Sequence, residues 1–463
     1  MDATRIIISD LHIGANDKFD IFNPALKLPI FEKFINYAQS QSNSVELIIN
    51  GDFVDFLQLK EWGDYSRGTA TRKAGEIAKA NLGVFRALGS LLTQPQHQIK
   101  VLLGNHDVEL AYDDTWKPIR DAILGGAPAG ADARLQFLNR RITDNFRVNN
   151  VLVHVEHGNI ADPFNSINYG PLFEDAEKNT KTFSYPPGTK FVYDTINQFK
   201  EQYQIVDLLK PEVPAVPLIL LALRPLAAAR RVPDALLKAL GALGNGFVGK
   251  LREILSGPQL GPGQQRKSTP EEDFLESLAN TYRVSARQAG GGTDFDRHDT
   301  DDAEMYLASE EQPGTTAKAA LGGTGAAIRR KLLAAALETL ERFKQPRSAH
   351  YFEEDHADNA LAKKAAGQMQ GDVRIVVYGH THEALKAEFA EGMYINSGTW
   401  VDLIELPSAS GQFEDWLKSV DNNTFGRPAF PTFVQIEPEA SGCRASLNHW
   451  HDTKREILWS RTA

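Results

Sequence analysis

Apolar positions along the first 160 or so residues come in two alternating textures. Short β-branched runs at 6–9, 45–50 and 99–103 each stop at a polar or glycine-containing loop, and these read as buried strands. Between the first two, Ile30, Phe34, Ile35 and Ala38 recur at helical spacing, and Ile77, Val84, Leu88 and Leu92 do so before the third. Residues 141–148 and 151–155 read as two further strands joined by Asn149-Asn150 in a hairpin turn. Strands alternating with helices predict an α/β sheet whose strand ends carry their loops along one edge.

From 163 to 370 the texture changes to proline-punctuated, alanine- and leucine-rich helical segments, including helical periodicity at 326–343 and 358–370. Stretches 257–267 and 289–302 are rich in Gly, Gln and Asp and read as mobile loops. Strand signals return at 374–378, 384–389, 393–396, 432–436 and 444–448. The expected organisation is one α/β domain in two parts, 1–162 and 371–463, interrupted by a mainly helical insertion at 163–370 that is a candidate lid.

Composition narrows the classes. With 42% hydrophobic and 24% charged residues the chain is an ordinary globular one. A net charge of −10 argues against a nucleic-acid-coating protein. A single cysteine, Cys443, cannot form an intramolecular disulfide. The apolar run at 6–8 is too short for a signal peptide, and the stretch 213–229 is broken by Pro214, Pro217, Arg224 and Pro225. The expected location is therefore cytoplasmic. Within 213–255, basic residues such as Arg230, Arg231 and Lys250 accompany leucine stripes. That combination reads either as peripheral contact with anionic lipid or as the insertion's own core with a wet basic face.

Five polar clusters follow predicted strands: Asp10-Leu11-His12, Gly51-Asp52-Phe53-Val54-Asp55, Gly104-Asn105-His106-Asp107, His157-Gly158-Asn159 and Gly379-His380-Thr381-His382. Carboxylate, imidazole and amide groups suit Mn²⁺, Fe or Zn²⁺ in mixed N/O coordination, and no thiolate takes part. Any one of these clusters alone is an ordinary turn. Five of them, each at a strand end, point to a dinuclear metal site.

In these motifs the chain resembles the calcineurin-like metallophosphoesterases, whose pattern runs D-x-H, G-D-x-x-D, G-N-H-[DE], a histidine often in an H-G setting, and G-H-x-H. The resemblance covers 1–162 and 371–450. It implies a four-layer α/β/β/α sandwich in place of a simple open sheet. It also implies two divalent metal ions, Mn²⁺ foremost, with Fe or Zn²⁺ as alternatives. Asp10, His12, Asp52 and His382 would hold one ion; Asp52, Asn105, His157 and His380 would hold the other, with Asp52 bridging. The implied reaction is hydrolysis of a phosphomonoester, phosphodiester or pyrophosphate by a metal-bridging hydroxide, with His106 assisting the leaving group and Asp55 supporting that imidazole. Asp107 reads as a residue that caps or orients its loop.

Departures from related patterns shape the substrate expectation. Asp55 is followed by Phe56-Leu57 where protein phosphatases of this kind carry Arg-Gly. His106 stands where UDP-2,3-diacylglucosamine pyrophosphatases, similar in the Asp-Leu-His and Gly-Asp segments, carry arginine. The expected partner is a phosphorylated small molecule or lipid, and nucleic acid is disfavoured. A lipid-linked pyrophosphate hydrolase at a membrane surface and a non-catalytic scaffold of the same fold are the alternatives. Tyr351 to Asp358, with His350, Glu353, Glu354, Asp355 and His356, reads as solvated surface, and His449 with His451 as surface or packing; Arg297-His298-Asp299 lies in a Gly/Asp-rich loop and lacks the other parts of a helical His-Asp metal phosphohydrolase. The Asn396-Ser397-Gly398-Thr399 turn reads equally as cleft lining or as structure.

Overall fold

Strands β1 (Thr4–Ile8), β2 (Val45–Asn50), β3 (Gln98–Leu102) and β4 (Leu135–Phe137) run parallel, side by side. The computed structural model describes residues 3–200 and 351–463, except 18–19, 60–65, 139–140, 163–164, 181–182, 187, 190–191, 194–196, 403–429 and 452. On the far side of β1 the same sheet continues antiparallel through β10 (Thr432–Glu439), β11 (Gly442–His451) and β12 (Lys454–Thr462). A second mixed sheet has the order β5-β6-β7-β9-β8, from β5 (Thr143–Val148), β6 (Val151–Glu156), β7 (Val373–Tyr378), β8 (Ala384–Glu388) and β9 (Met393–Ser397). The protein is thus a mixed α/β fold with two sheets, where the strand pattern by itself predicted one.

The unbroken apolar runs are explained by burial on both faces. Side chains alternate across a strand. Ile6 and Ile8 of β1 pack among Phe31, Phe34 and Ile35 of helix α1 (Pro24–Gln39). Ile7 instead joins Ile48 and Leu102 in a core shared with Val153, Val155 and Ile375 of the second sheet. On the other face of β7, Val376 and Tyr378 pack with Ala362 and Ala365.

Helices α2 (Arg67–Ala80) and α3 (Leu82–Leu91) replace the single helical stripe expected through Ile77–Leu92. Asn81 stands between them, and its side-chain amide donates to Gly14 O at 2.7 Å and Ile77 O at 3.1 Å. A side chain that bonds backbone carbonyls in this way competes with helix continuation. Helix α4 (Asp113–Leu124) completes this face with α1, α2 and α3.

The chain groups into two units, one of 1–193, 347–405 and 423–463 and the other of 194–346 and 406–422. Helices α5 (Tyr169–Lys178) and α6 (Ala360–Ala366) fall in the span read as the insertion and group with the first unit. In the second unit the described backbone is a helical turn, Asn197–Lys200. The readings at 213–255, 257–267, 289–302 and 326–343 lie outside the described residues. Among the described residues no helix is long and apolar enough to cross a membrane.

Candidate metal centre

All five polar clusters leave the carboxyl ends of parallel strands: β1, β2 and β3 in one sheet, β6 and β7 in the other. The two sheets are tied where these ends meet. Asn50 Nδ2 donates to Glu156 O at 2.8 Å, and Ser9 Oγ lies 2.7 Å from Ser397 Oγ. The His380 amide donates to the Asp10 carboxylate, 3.0 Å from Oδ2, and Thr399 Oγ1 donates to Asp10 O at 2.8 Å. The Asn396–Thr399 turn therefore braces the site, since Asn396 Nδ2 also donates to Gly379 O at 2.7 Å.

The chain turns off its strands sharply. Asp10, His12, Asp52, His380 and His382 all have left-handed backbones, with φ between 48° and 73°. Glycine is required where the loops press together: a Cβ on Gly104 would strike the Asp52 carboxylate and backbone, and one on Gly379 would strike Ser9 and Asp10.

These turns assemble three overlapping groups of donor atoms: Asp10, His12 and His382; His12, Asp52 and His106; and Asp52, His157 and His380. His12 Nε2 lies 3.8 Å from Asp10 Oδ1, 3.6 Å from Asp52 Oδ2 and 2.8 Å from His382 Nε2. His382 Nε2 is 3.3 Å from Asp10 Oδ1, and His157 Nε2 is 3.2 Å from Asp52 Oδ2. Asp52 Oδ1 accepts the His106 amide at 2.9 Å. The Asn105 side-chain oxygen is buried with no hydrogen-bond partner among the described residues.

The imidazoles are anchored from behind. His12 Nδ1 and His106 Nδ1 lie 2.8 and 3.0 Å from the same oxygen of Asp55, which also accepts Gln58 Nε2 at 2.7 Å. His157 Nδ1 lies 2.8 Å from Asn50 O, and His380 Nε2 lies 3.1 Å from Asp162 Oδ2. An N–H donated outward fixes the tautomer and leaves the other ring nitrogen with its lone pair.

Electrostatics follow from burying opposite charges together. Burial by itself raises the carboxyls of Asp10 and Asp52, but the surrounding imidazoles, led by His382 at Asp10 and by His157 at Asp52, hold both below the usual range. Asp55 is likewise held down against burial by His106 and His12. Burial disfavours charge on His12, yet Asp10, Asp55 and Asp52 lift it to about 10. His157 rises to about 9, burial being outweighed by Asp52. His106 also rises, because Asp55 and Asp52 outweigh its burial. Asp107 goes the other way: burial and the Asp52 charge raise it to about 7 although it accepts the Gly104 and Phe53 amides at 2.7 and 2.8 Å. Those bonds tie the β2 and β3 loops together.

The residues fit a divalent cation. Donors each about 2.1 Å from one ion stand roughly 3.0–3.4 Å apart, rising to about 4.2 Å when opposite, and the separations above cluster around those values. Two imidazole nitrogens facing each other at 2.8 Å need a proton between them or a cation that both coordinate. An orphaned amide oxygen, carboxylates and neutral-nitrogen donors without sulfur make a mixed N/O set.

Outside this cluster the readings are simpler. His449 stacks on Phe430 with ring centroids 3.8 Å apart, and His451 is exposed. Glu353, Glu354 and Asp355 are exposed, with Asp355 3.8 Å from Lys386. Arg297-His298-Asp299 lies outside the described residues. Asn50, Gln58 and Asp162, each bonded to a member of the cluster or to its support, were not anticipated from sequence. A lone polar residue on a strand end or in a loop leaves no periodic trace. No protein-family model matches the chain, and no curated protein matches it.

Proposed function

We propose that the chain is a dinuclear metal-dependent phosphoesterase of the calcineurin-like kind, built on a four-layer α/β/β/α sandwich. Asp10, His12, Asp52 and His382 hold one ion and Asp52, Asn105, His157 and His380 the other. The observation that carries this reading is the placement of one Asp52 oxygen 3.6 Å from His12 Nε2 and 3.2 Å from His157 Nε2, so that a single carboxylate belongs to both halves of the cluster.

Two bound divalent ions, Mn²⁺ foremost with Fe or Zn²⁺ as alternatives, supply neutralisation of phosphoryl charge and activation of water at neutral pH. The protein supplies position and protons. Asp55 grips His106 through Nδ1, and Asp55 with Asp52 favours the doubly protonated ring against its burial, so that Nε2 has a proton to hand to the departing oxygen. His106 is 14% exposed while Asp55 is 2% exposed, the arrangement expected of a group that meets substrate and one that stays behind it. The substrate class that fits is a phosphorylated small molecule or lipid carrying an ester or anhydride.

The test is hydrolysis of bis-p-nitrophenyl phosphate and p-nitrophenyl phosphate by metal-stripped protein reconstituted with Mn²⁺, Fe²⁺ or Zn²⁺, beside an Asp52→Ala control. Turnover by the parent and none by the control is expected. Equal inertness of both across all metals, with the ions bound, would give the non-catalytic scaffold the better claim.

A further inference from the structure

We propose that Asp162 is a positioning residue for His380, setting the tautomer through which that histidine serves the half of the cluster containing Asp52 and His157. The inference rests on the metal-centre reading above and goes beyond its ligand set.

His380 Nε2 lies 3.1 Å from Asp162 Oδ2. The carboxylate is itself held in place: Asn165 Nδ2 donates to the same oxygen at 2.8 Å, and the Asp162 amide donates to Asn159 O at 3.0 Å. That anchoring belongs to the loop that begins at His157, passes through Gly158 with φ of 104° and makes one helical turn over Asn159–Ala161. One loop therefore delivers a donor, His157, and also the group that orients a second donor arriving from β7.

The tautomer follows from the chemistry of the contact. An aspartate can only accept, so Nε2 carries the hydrogen and Nδ1 keeps the lone pair. His12 and His157 are the reverse: their Nδ1 atoms face Asp55 and Asn50 O, and Nε2 is left for the cluster. His380 is thus the imidazole that must present the opposite nitrogen, and Asp162 is the residue that makes it do so.

The experiment titrates Mn²⁺ into metal-free full-length protein by calorimetry and follows the electron paramagnetic resonance of spin-coupled against isolated Mn²⁺. Parent protein, Asp162→Ala and Asp162→Asn are compared, with circular dichroism on the metal-free forms. The parent takes up two ions. Asp162→Ala keeps the first at parental affinity and binds the second about 10–100-fold more weakly, with isolated Mn²⁺ replacing the coupled signal. Asp162→Asn recovers part of the loss, because its amide oxygen still accepts from Nε2. Equal affinity for the second ion in parent and Asp162→Ala overturns the inference while leaving the dinuclear reading intact. An asparagine variant as weak as alanine also overturns it, since direct ligation by the carboxylate would give that result. A parent that binds fewer than two ions sinks the dinuclear reading itself, and Asp162 with it.

Discussion

His12 Nε2 and His382 Nε2 stand 2.8 Å apart in the protein interior, their rings tilted 57° to each other. Two lone pairs cannot share that gap: either a proton on one ring closes it as a hydrogen bond, or, on the reading proposed above, both nitrogens turn to one metal ion. On that reading, Mn²⁺ at a hundredfold over its dissociation constant is expected to stabilise the folded state by about 2.7 kcal/mol. Thermal unfolding in Mn²⁺ against chelator reads this as a rise in Tm, and His12→Ala removes the rise. Coincident curves for the parent would show that the gap is closed by a proton alone.

Asp55 serves two masters, and the variants should separate them. His106→Gln is expected to retain both ions and lose about 10²–10⁴ in kcat. Asp55→Asn loosens His12 as well as His106, so it lowers metal affinity about 10–100-fold on top of the loss in turnover. Metal content measured on the assayed samples distinguishes the pair. Identical metal retention by both would confine Asp55 to His106.

Lys27 of α1 forms a buried ion pair with Asp402, in the stretch after β9. Burial pushes the Lys27 ammonium down, Asp402 opposing it, and the second oxygen of Asp402 has no hydrogen-bond partner among the described residues. Removing one partner strands a buried charge. Lys27→Met should cost about 3–5 kcal/mol in denaturant unfolding, and Lys27→Met with Asp402→Leu should regain most of it. A double variant no better than the single would assign the loss to packing.

His97 gives the fold a pH dependence remote from the cluster. Its Nδ1 accepts the Val45 amide at 2.9 Å, and Nε2 faces Gln39 O at 3.4 Å, so the ring is held neutral. Burial, with Arg134 adding to it, lowers its pKa against the opposing Gln39 carbonyl. The unfolded chain then binds the proton more readily. This contribution to stability is complete above the ordinary value of about 6.5 and is lost as pH falls from there through the lower value of the folded state. Urea midpoints of parent minus His97→Gln, taken from about pH 8 to about pH 5, should decline toward acid. A flat difference would remove His97 from the account.

What the sequence revealed depended on how its signals are carried. Residues 6–9, 45–50 and 99–103 announce strands because both faces are covered, which forces unbroken apolar runs. β12 was missed for the converse reason: it is an edge strand, largely exposed and rich in charge. Asn81 ended a helix inside a continuous apolar stripe, since Ile77, Val84 and Leu88 stay in one core across the break. The five clusters were visible because donors sit close together in the chain, as in Asp10-Leu11-His12. The Asp162–His380 contact spans 218 positions of sequence, and nothing local to either residue signals the other.

The left-handed backbones at Asp10, His12, Asp52, His380 and His382 set the chain's durability against its chemistry. Each costs roughly 1–2 kcal/mol relative to a residue without a Cβ. Glycine would relieve that strain, yet at Asp10 and Asp52 it would leave the His380 and His106 amides without the carboxylates that accept them, so the strain and the bracing are inseparable.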